Sequence, residues 1–242
     1  MSVIAIPQDK PARARKGSNA KQSRLPRVFL AGTEKAIAHR ADVAEARVNV
    51  IRAAHPNWSD DQIAKRIVKR YLTSVTLVGA GTGGTAAIPG VGFLIGTATL
   101  TADVLWFGWA SARMIMDLAA LRNVDISDPD IRRLHVLGLL AGDEVAVAAA
   151  SRVGLGVERV GTMTIRAMNH RLTRLVLTRL GTRVVAGRMA SIVPFGVGAI
   201  AGGGVNFVLA RDLSRRASET FERLSPVVGN SRVVSLRPSL PA

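Results

Sequence analysis

Two apolar, glycine-rich segments about a hundred residues apart constrain the fold more than any other feature of the chain. Residues 86–96 read AAIPGVGFLIG and residues 191–203 read SIVPFGVGAIAGG. In each, a proline precedes a Gly-Val-Gly, and a further glycine follows four residues beyond the last glycine of that phrase. The uncharged stretches that contain them, 71–102 and 189–210, are 32 and 22 residues long. Because a bilayer core is about 30 Å thick, such stretches are long enough to reach into or across it.

The spacing of the glycines indicates how these segments pack. Glycines four residues apart let two helix backbones approach closely, which is how helices associate where lipid removes the usual hydrophobic drive. We therefore predict two apolar helical hairpins that contact each other or lie side by side. Their predicted packing motif consists of Pro89, Gly90, Gly92, Gly96, Pro194, Gly196, Gly198 and Gly202.

Composition supports a helical protein with an anionic partner. Apolar residues make up 48% of the 242-residue chain but aromatic residues only 4%, so the core must be built from small and aliphatic side chains, which suits close-packed helices. No alternation of strand period occurs over a useful length, and the predicted fold class is all-α, a helical bundle. The net charge of +16 favours lipid headgroups or nucleic acid as partners. The absence of cysteine excludes disulfides, thiolate metal sites and a cysteine nucleophile.

The chain divides into three parts by composition. Residues 1–27 contain seven Lys or Arg, one Asp and three prolines, which is typical of a disordered basic arm. We expect this arm to span residues 1–32, the helical domain residues 33–225, and a flexible tail residues 226–242. The first residues hold no apolar run long enough for a signal peptide, so we expect a protein that is not exported through the general secretory route.

One motif imitates a dinucleotide-binding fingerprint. Gly79, Gly81 and Gly84 satisfy G-x-G-x-x-G, and Asp103 follows at about the distance of a ribose-binding acid. The fingerprint must open a long helix, however, and Pro89 stands five residues after the last glycine, where it would break that helix. A nucleotide-dependent enzyme is therefore the weakest hypothesis, and we predict no cofactor.

Asp103 is the most informative single residue. It follows 32 uncharged positions, and none of its neighbours at helical spacing can neutralise it. An unpaired carboxylate in apolar surroundings would cost several kcal/mol. We therefore expect Asp103 to face water at the end of a segment or to pair with another helix, with Asn206 and Arg211 as candidate partners. A structural role is favoured over a functional acid.

No residue set in the sequence points to catalysis. The four histidines are scattered, without metal-ligand spacing, and no zinc-protease, nucleophile-elbow or nucleotide-binding P-loop pattern occurs. We predict a protein that is not an enzyme and binds no metal. Few aromatic residues are present for stacking on single strands, so we also expect no specific nucleic-acid partner.

An arginine-rich stretch predicts a basic amphipathic helix. Arg159, Arg166, Arg171 and Arg174 fall on one side, and Ile165, Met168, Leu172, Leu175 and Val176 on the other. Such a face can lie on anionic lipid, with each basic residue contributing about 1 kcal/mol. It can equally be the solvated side of a helix that packs on a core, and the pattern leaves both open. We expect the helix to bend or end near Gly181.

The chain resembles the EcsC-like family of bacterial proteins. The resemblance is carried by SDDQIAKRIVKRYL, by LVGAGTGGTAAIPGVGFLIG, by the helix with Asp103, by DPDIRRLHVLGLLAGD and by VPFGVGAIAGGGVNFVLARDLSRRA, which together cover roughly two thirds of the chain. It implies a helical, membrane-associated bacterial protein whose glycine phrases form apolar hairpins. It implies no activity and no catalytic residues, since none is established for the family. The second phrase carries an extra Phe195 after its proline, so the two hairpins need not superimpose.

Two functional hypotheses follow. The first is a non-enzymatic protein at the inner face of the bacterial cytoplasmic membrane, whose hairpins pack in or against the bilayer while basic segments contact anionic lipid. The alternative is a soluble helical module that carries lipid or binds another protein. A membrane transporter and a second copy of the chain are both left open as partners.

Overall fold

The protein, described by a computed structural model, is an all-α helical bundle, as predicted. The structure describes residues 25–39, 41–86, 92–154, 161–180 and 197–225, and within these ranges it contains no strand. The helices are α1 (Leu25–Ile37), α2 (Ala41–Ala54), α3 (Asp60–Ala86), α4 (Gly92–Leu121), α5 (Pro129–Ala141), α6 (Glu144–Gly154), α7 (Thr162–Leu175, continued by a π-helical turn at Val176–Leu180) and α8 (Val197–Leu224).

Three long helices form the centre of the bundle. α3 packs along α8 over the most extensive contact of the molecule and also against α4. α1 and α2 cover other sides of α4, whereas α6 and α7 pack on α5. The buried side chains of all these helices form one continuous core of mostly Ala, Val, Leu and Ile. This matches the core that the composition predicts.

The helix boundaries follow from local capping. Ser59 and Gln62 form a capping box at the start of α3: the Ser59 N–H donates to Gln62 Oε1 at 2.8 Å, and the Gln62 N–H donates to Ser59 Oγ at 3.3 Å. Asp128 caps α5, and Pro129 is its first residue, a position where the missing N–H of proline costs no helical hydrogen bond. α5 ends at Gly142, whose φ of 68° favours glycine.

The predicted limit of the basic arm at residue 32 is wrong, because α1 already begins at Leu25. Phe29 is buried, and its ring lies 6.1 Å from that of Phe107 on α4. The basic and proline-rich residues around this short apolar stretch dominate the local composition and so conceal the helix. Residues 1–24 and 226–242 lie outside the described ranges, and the arm and the tail there stay predictions.

α1 and α4 touch through their backbones at two glycines that the sequence analysis did not single out. A Cβ atom on Gly108 of α4 would overlap the carbonyl oxygen of Phe29, and one on Gly32 of α1 would overlap that of Leu105. The Thr33 hydroxyl also lies at this contact and donates to the Phe29 carbonyl at 3.1 Å. Glycine is required at both positions for the helices to approach this closely.

His135 of α5 is a core residue with 1% of its surface exposed. With a proton on Nδ1, its ring donates to the Ile131 carbonyl at 3.0 Å. Nε2 lies 2.9 Å from the Ser151 hydroxyl, whose proton is shared between this nitrogen and the Val147 carbonyl at 3.1 Å. Burial lowers the pKa of His135 to about 4, and the hydrogen bond to Ile131 and the charge of Asp125 offset this only in part. The ring is therefore neutral in the folded protein at neutral pH.

This environment predicts a loss of stability in acid. In the unfolded chain His135 takes up a proton near pH 6.5, whereas in the folded protein it stays neutral down to about pH 4. The unfolded state therefore binds more protons between these values, and the free energy of unfolding falls by up to about 1.4 kcal/mol per pH unit as the pH decreases. Urea unfolding at several pH values should show this slope in the native protein and a weaker one in His135→Gln. Equal slopes in both proteins would contradict the assignment.

Candidate membrane interface

The ends of three helices meet at one end of the bundle. α4 runs antiparallel to α3, since the Tyr71 hydroxyl lies 2.8 Å from Ser111 Oγ while Asp61 pairs with Arg122 further along. α8 runs in the same direction as α4 and packs on α3 through Gly203. We call the residues gathered there, 79–86 of α3, 92–102 of α4 and 197–204 of α8, the glycine-rich end.

Gly203, the last residue of the second glycine segment, packs against α3 within the uncharged stretch 71–102. A Cβ atom on Gly203 would lie 3.3 Å from Ala80 Cβ and 3.4 Å from the Thr76 carbonyl oxygen. The next residue, Gly204, faces open space, with nothing within 4 Å of a Cβ atom. Two adjacent glycines of one helix therefore differ only in whether they face α3.

This difference gives a matched test of the packing between α3 and α8. Gly203→Leu is expected to destabilise the protein by about 1–3 kcal/mol, because the added side chain would wedge the two helices apart. Gly204→Leu should leave stability within about 0.5 kcal/mol or raise it, because the side chain enters solvent and leucine favours helix. Thermal unfolding of the two variants measures the effect. Equal melting temperatures would contradict the close contact.

The structure describes the predicted packing motif only in part. Gly92 and Gly96 lie in α4, and Gly198 and Gly202 lie in α8; of these four residues the structure describes only the helix to which each belongs. The segment 181–196, which would complete the second hairpin, lies outside the described ranges. So do the remaining four residues of the motif: Pro89, Gly90, Pro194 and Gly196.

Asp103 and Asn206 come together inside the bundle. Asp103 is 3% exposed, and Asn206 Nδ2 lies 3.4 Å from its Oδ1. The same amide group donates to the Val75 carbonyl of α3 at 2.9 Å. These contacts link α3, α4 and α8 just below the glycine-rich end. Arg211, the other candidate partner, is exposed on α8 and faces a surface groove instead.

The dinucleotide fingerprint lies inside a helix. Val75, which would belong to the preceding strand, is helical, and α3 continues without interruption through Gly79, Gly81 and Gly84 to Ala86. Backbone N–H groups within a helix bond to the carbonyl four residues earlier, so they are not free to hold a pyrophosphate. The motif therefore lacks the strand and the helix N-terminus on which dinucleotide binding depends.

Exposed apolar side chains of α3, α4 and α8 lie at one level of the bundle, next to the glycine-rich end. Leu77 and Val208 are each 66% exposed, and Leu105, Trp106 and Phe207 are each more than a third exposed. From the register of the three helices, all five lie level with residues 73–77 of α3. Four residues of helix rise about 6 Å, so the five residues extend over only about 6 Å along the helix axis. We call these five residues the apolar belt.

Basic residues follow directly on the side away from the glycine-rich end. They are exposed and lie level with residues 65–70 of α3, within about 8 Å along the axis. Acidic side chains are fewer at this level, and Asp212 pairs with Arg215 and Arg216. We call the set the basic girdle: Lys65, Arg66, Lys69, Arg70, Arg211 and Arg215.

A long groove runs between α3 and α8 and passes both the apolar belt and the basic girdle. Its volume is about 1440 Å³, and it is open to solvent. The wall near the glycine-rich end is apolar, with Leu72, Leu77 and Val208, whereas Lys69 and Arg211 line it in the girdle. The groove thus changes from apolar to charged, and in its charged part Lys and Arg outnumber the acidic residues Asp61, Asp212 and Glu222.

The predicted arginine-rich helix is α7, which carries none of the residues of the apolar belt or the basic girdle. In α7, Ile165 and Leu172 are buried, whereas Arg166, Arg171 and Arg174 are exposed. The α-helix ends at Leu175, and a π-helical turn follows at Val176–Leu180. Gly181, near which the helix is expected to bend or end, lies outside the described ranges. Arg171 lies 3.4 Å from Asp143, which offsets part of its charge. Arg159 lies outside the described ranges.

One segment of the described residues is long and apolar enough to cross a membrane. It is Thr101–Leu121, which forms most of α4. Two thirds of this segment is buried within the protein, against neighbouring helices. It also carries Asp117, which accepts a hydrogen bond from Arg47 Nε at 2.8 Å. The segment therefore serves as the core helix of the bundle.

Comparison of the chain with protein-family models, curated proteins and solved structures finds no match. The resemblance to the EcsC-like family therefore stays a prediction. The glycine segments and the candidate partners of Asp103, among them Asn206, follow from the sequence, whereas the apolar belt and the cationic residues beside it were not predicted. The sequence signal for the boundary between the belt and the cationic residues is the change at residue 71, where the charged residues of KRIVKRYL give way to an uncharged stretch.

Proposed function

We propose that the protein is a non-enzymatic, membrane-associated protein that dips its glycine-rich end into an anionic bilayer. The observation that carries this proposal is the order of surfaces along the bundle axis. An uncharged end is followed by the exposed apolar belt and then by the basic girdle. This is the order of hydrocarbon, interface and anionic headgroup through one leaflet of a membrane.

The dimensions favour dipping over spanning. From Leu77 in the belt, α3 continues for nine residues to Ala86, a rise of about 14 Å. That is roughly half of a hydrocarbon core about 30 Å thick. The Asp103–Asn206 pair would lie inside this end without facing lipid, because Asp103 is buried among the three helices. Trp106 in the belt suits the interface, where amphipathic aromatic side chains concentrate.

The location that fits this chemistry is the inner face of a bacterial cytoplasmic membrane, where anionic lipids face the cytoplasm. The resemblance of the glycine phrases to EcsC-like proteins points the same way. The exposed arginines of α7 are a second basic surface. We propose that they attract the protein to the anionic membrane from a distance and do not contact lipid where the glycine-rich end inserts. A membrane transporter or a second copy of the chain are candidate partners.

A soluble lipid carrier is the alternative, favoured by the groove between α3 and α8. Its apolar wall and cationic rim suit an acyl chain and an acidic headgroup. A carrier would hold lipid in solution after it leaves the membrane, whereas a membrane-associated protein would stay with the bilayer.

Vesicle flotation separates these functions. The protein should float with vesicles that contain phosphatidylglycerol, less with pure phosphatidylcholine, and the attachment should weaken as salt rises to about 0.5 M. The fraction bound through inserted apolar surface should persist in high salt. Extraction of labelled lipid into the supernatant by free protein would instead favour the carrier. Equal, salt-independent binding to both kinds of vesicle would contradict a role for the basic girdle.

A further inference from the structure

A second concave site lies between α2, α3 and α4, on a different side of the bundle from the groove. It is a cleft of about 350 Å³ beside the apolar belt, and we call it the tryptophan cleft. Trp106 and Trp109 line it, with ring centroids 4.9 Å apart. Val50 and Ala110 add apolar surface. The cleft therefore offers an apolar wall that continues towards the glycine-rich end through Trp106.

Charge in the tryptophan cleft is unbalanced. Three guanidinium groups line it, those of Arg47, Arg70 and Arg113, but Asp117 is the one carboxylate in its described lining. Asp117 is engaged by Arg47, whose Nε donates to it at 2.8 Å. Within the described part of the chain, neither Arg70 nor Arg113 forms an ion pair. Among the described lining residues, a single carboxylate thus faces three guanidinium groups, and the positive charge of the cleft is only partly balanced.

The Arg113 guanidinium is held in place by an aromatic ring. Arg113 Cζ lies 5.2 Å from the centroid of Trp109, a cation–π arrangement. Its pKa is lowered by burial and by the charges of Arg47 and Arg70, and Asp117 offsets this only in part. The positive charges therefore repel one another, and an anion between Arg70 and Arg113 would relieve that repulsion.

We propose that the tryptophan cleft binds the phosphate group of one anionic phospholipid, with Arg70 and Arg113 as its hydrogen-bond donors and Trp106 against its glycerol and acyl carbons. Guanidinium groups match phosphate geometry by donating two parallel N–H bonds. The cleft lies level with the basic girdle, where headgroups would stand if the glycine-rich end enters a bilayer. In that respect the site rests on the proposed function, which it extends from a diffuse attraction to a single lipid site.

The site can be tested without a membrane. Dihexanoyl phosphatidylglycerol, kept below its micelle concentration, is titrated into a Trp58→Phe variant, in which the remaining tryptophans both line the cleft. We expect a saturable, one-to-one change in tryptophan fluorescence. Arg70→Gln should weaken binding about tenfold and Arg70→Gln/Arg113→Gln further, since each removes charge-assisted hydrogen bonds. Arg66→Gln, with the same charge change one turn away on α3, should stay within twofold.

Inorganic phosphate and dihexanoyl phosphatidylcholine complete the experiment. Both should bind at least tenfold more weakly than the phosphatidylglycerol, because one lacks the apolar part and the other carries a neutralising cation. Equal affinity for inorganic phosphate would overturn the lipid assignment in favour of a soluble phosphate compound. Equal affinity for phosphatidylcholine, or unchanged binding in Arg70→Gln, whose side chain is exposed and outside the core, would overturn the site itself.

The two proposals fail separately. Binding of the monomeric lipid without flotation on vesicles would refute membrane insertion and retain the cleft. Flotation that falls no further in Arg70→Gln/Arg113→Gln than in the girdle variant Arg66→Gln, together with no fluorescence response to the monomeric lipid, would refute the cleft and retain insertion.

Discussion

Replacing Gly108 with alanine is expected to lower the free energy of unfolding by about 3 kcal/mol. The new Cβ atom would overlap the Phe29 carbonyl oxygen, which is backbone and cannot rotate away. α1 would have to move off α4, and Phe29 would then lose its packing against Phe107. For a chain of this size we expect a fall in melting temperature of roughly 6–12 °C.

Gly81→Ala is the matched control. Gly81 is also a helical glycine, but nothing lies within 4 Å of a Cβ atom placed on it. Alanine should therefore be neutral or stabilise α3 by up to about 1 kcal/mol, through its higher helix propensity. If Gly108→Ala unfolds at the same temperature as Gly81→Ala, then α1 and α4 do not approach as closely as described.

Reversing the charge of Lys69 and Arg211 should reduce binding to anionic vesicles at least about thirtyfold. Both residues are exposed in the basic girdle, on facing helices at the rim of the groove. Each basic residue near an anionic surface contributes about 1 kcal/mol, so the loss of two corresponds to about a factor of thirty, and the new carboxylates add repulsion. Sedimentation with vesicles at about 0.1 M salt measures the partition coefficient.

The matched control is the double reversal Arg166→Glu/Arg174→Glu, which makes the same change in net charge on α7. Helix content should be retained in both double variants, because all four side chains are exposed. We expect the α7 variant to lose clearly less binding, since that helix does not adjoin the apolar belt in sequence or in its described packing. A larger loss in the α7 variant would move the membrane-contact face from the girdle to α7.

Local signals in the sequence account for much of the fold. The capping box at Ser59 and the proline that opens α5 at position 129 each depend on residues within one helical turn, so features of this kind can be recognised from the sequence alone. The cost of burying an unpaired carboxylate required a partner for Asp103 in a chain with few polar residues nearby. Asn206 and Arg211 are both candidates on this ground, and Asn206, about a hundred residues away in sequence, is the one that contacts Asp103.

Features that depend on the register between distant helices could not be predicted in this way. Gly32 and Gly108 each stand alone in a helical pattern, where a glycine ordinarily indicates only a weakened helix. Their role appears only when α1 is placed against α4. The apolar belt and the basic girdle combine residues of α3, α4 and α8, so their alignment requires knowing that α4 and α8 both run opposite to α3.

The absence of cysteine allows the central claim to be measured directly. Single cysteines at Leu77 and Val208, both in the apolar belt, can carry an environment-sensitive fluorophore. Val145 on α6 and Met163 on α7, which are 80% and 84% exposed, serve as controls. With phosphatidylglycerol vesicles, the labels at positions 77 and 208 should shift to the blue and be quenched by brominated lipid, while the labels at 145 and 163 stay in water. Labels at 77 and 208 that remain aqueous on bound protein, or labels at 145 and 163 that insert instead, would contradict insertion through the glycine-rich end.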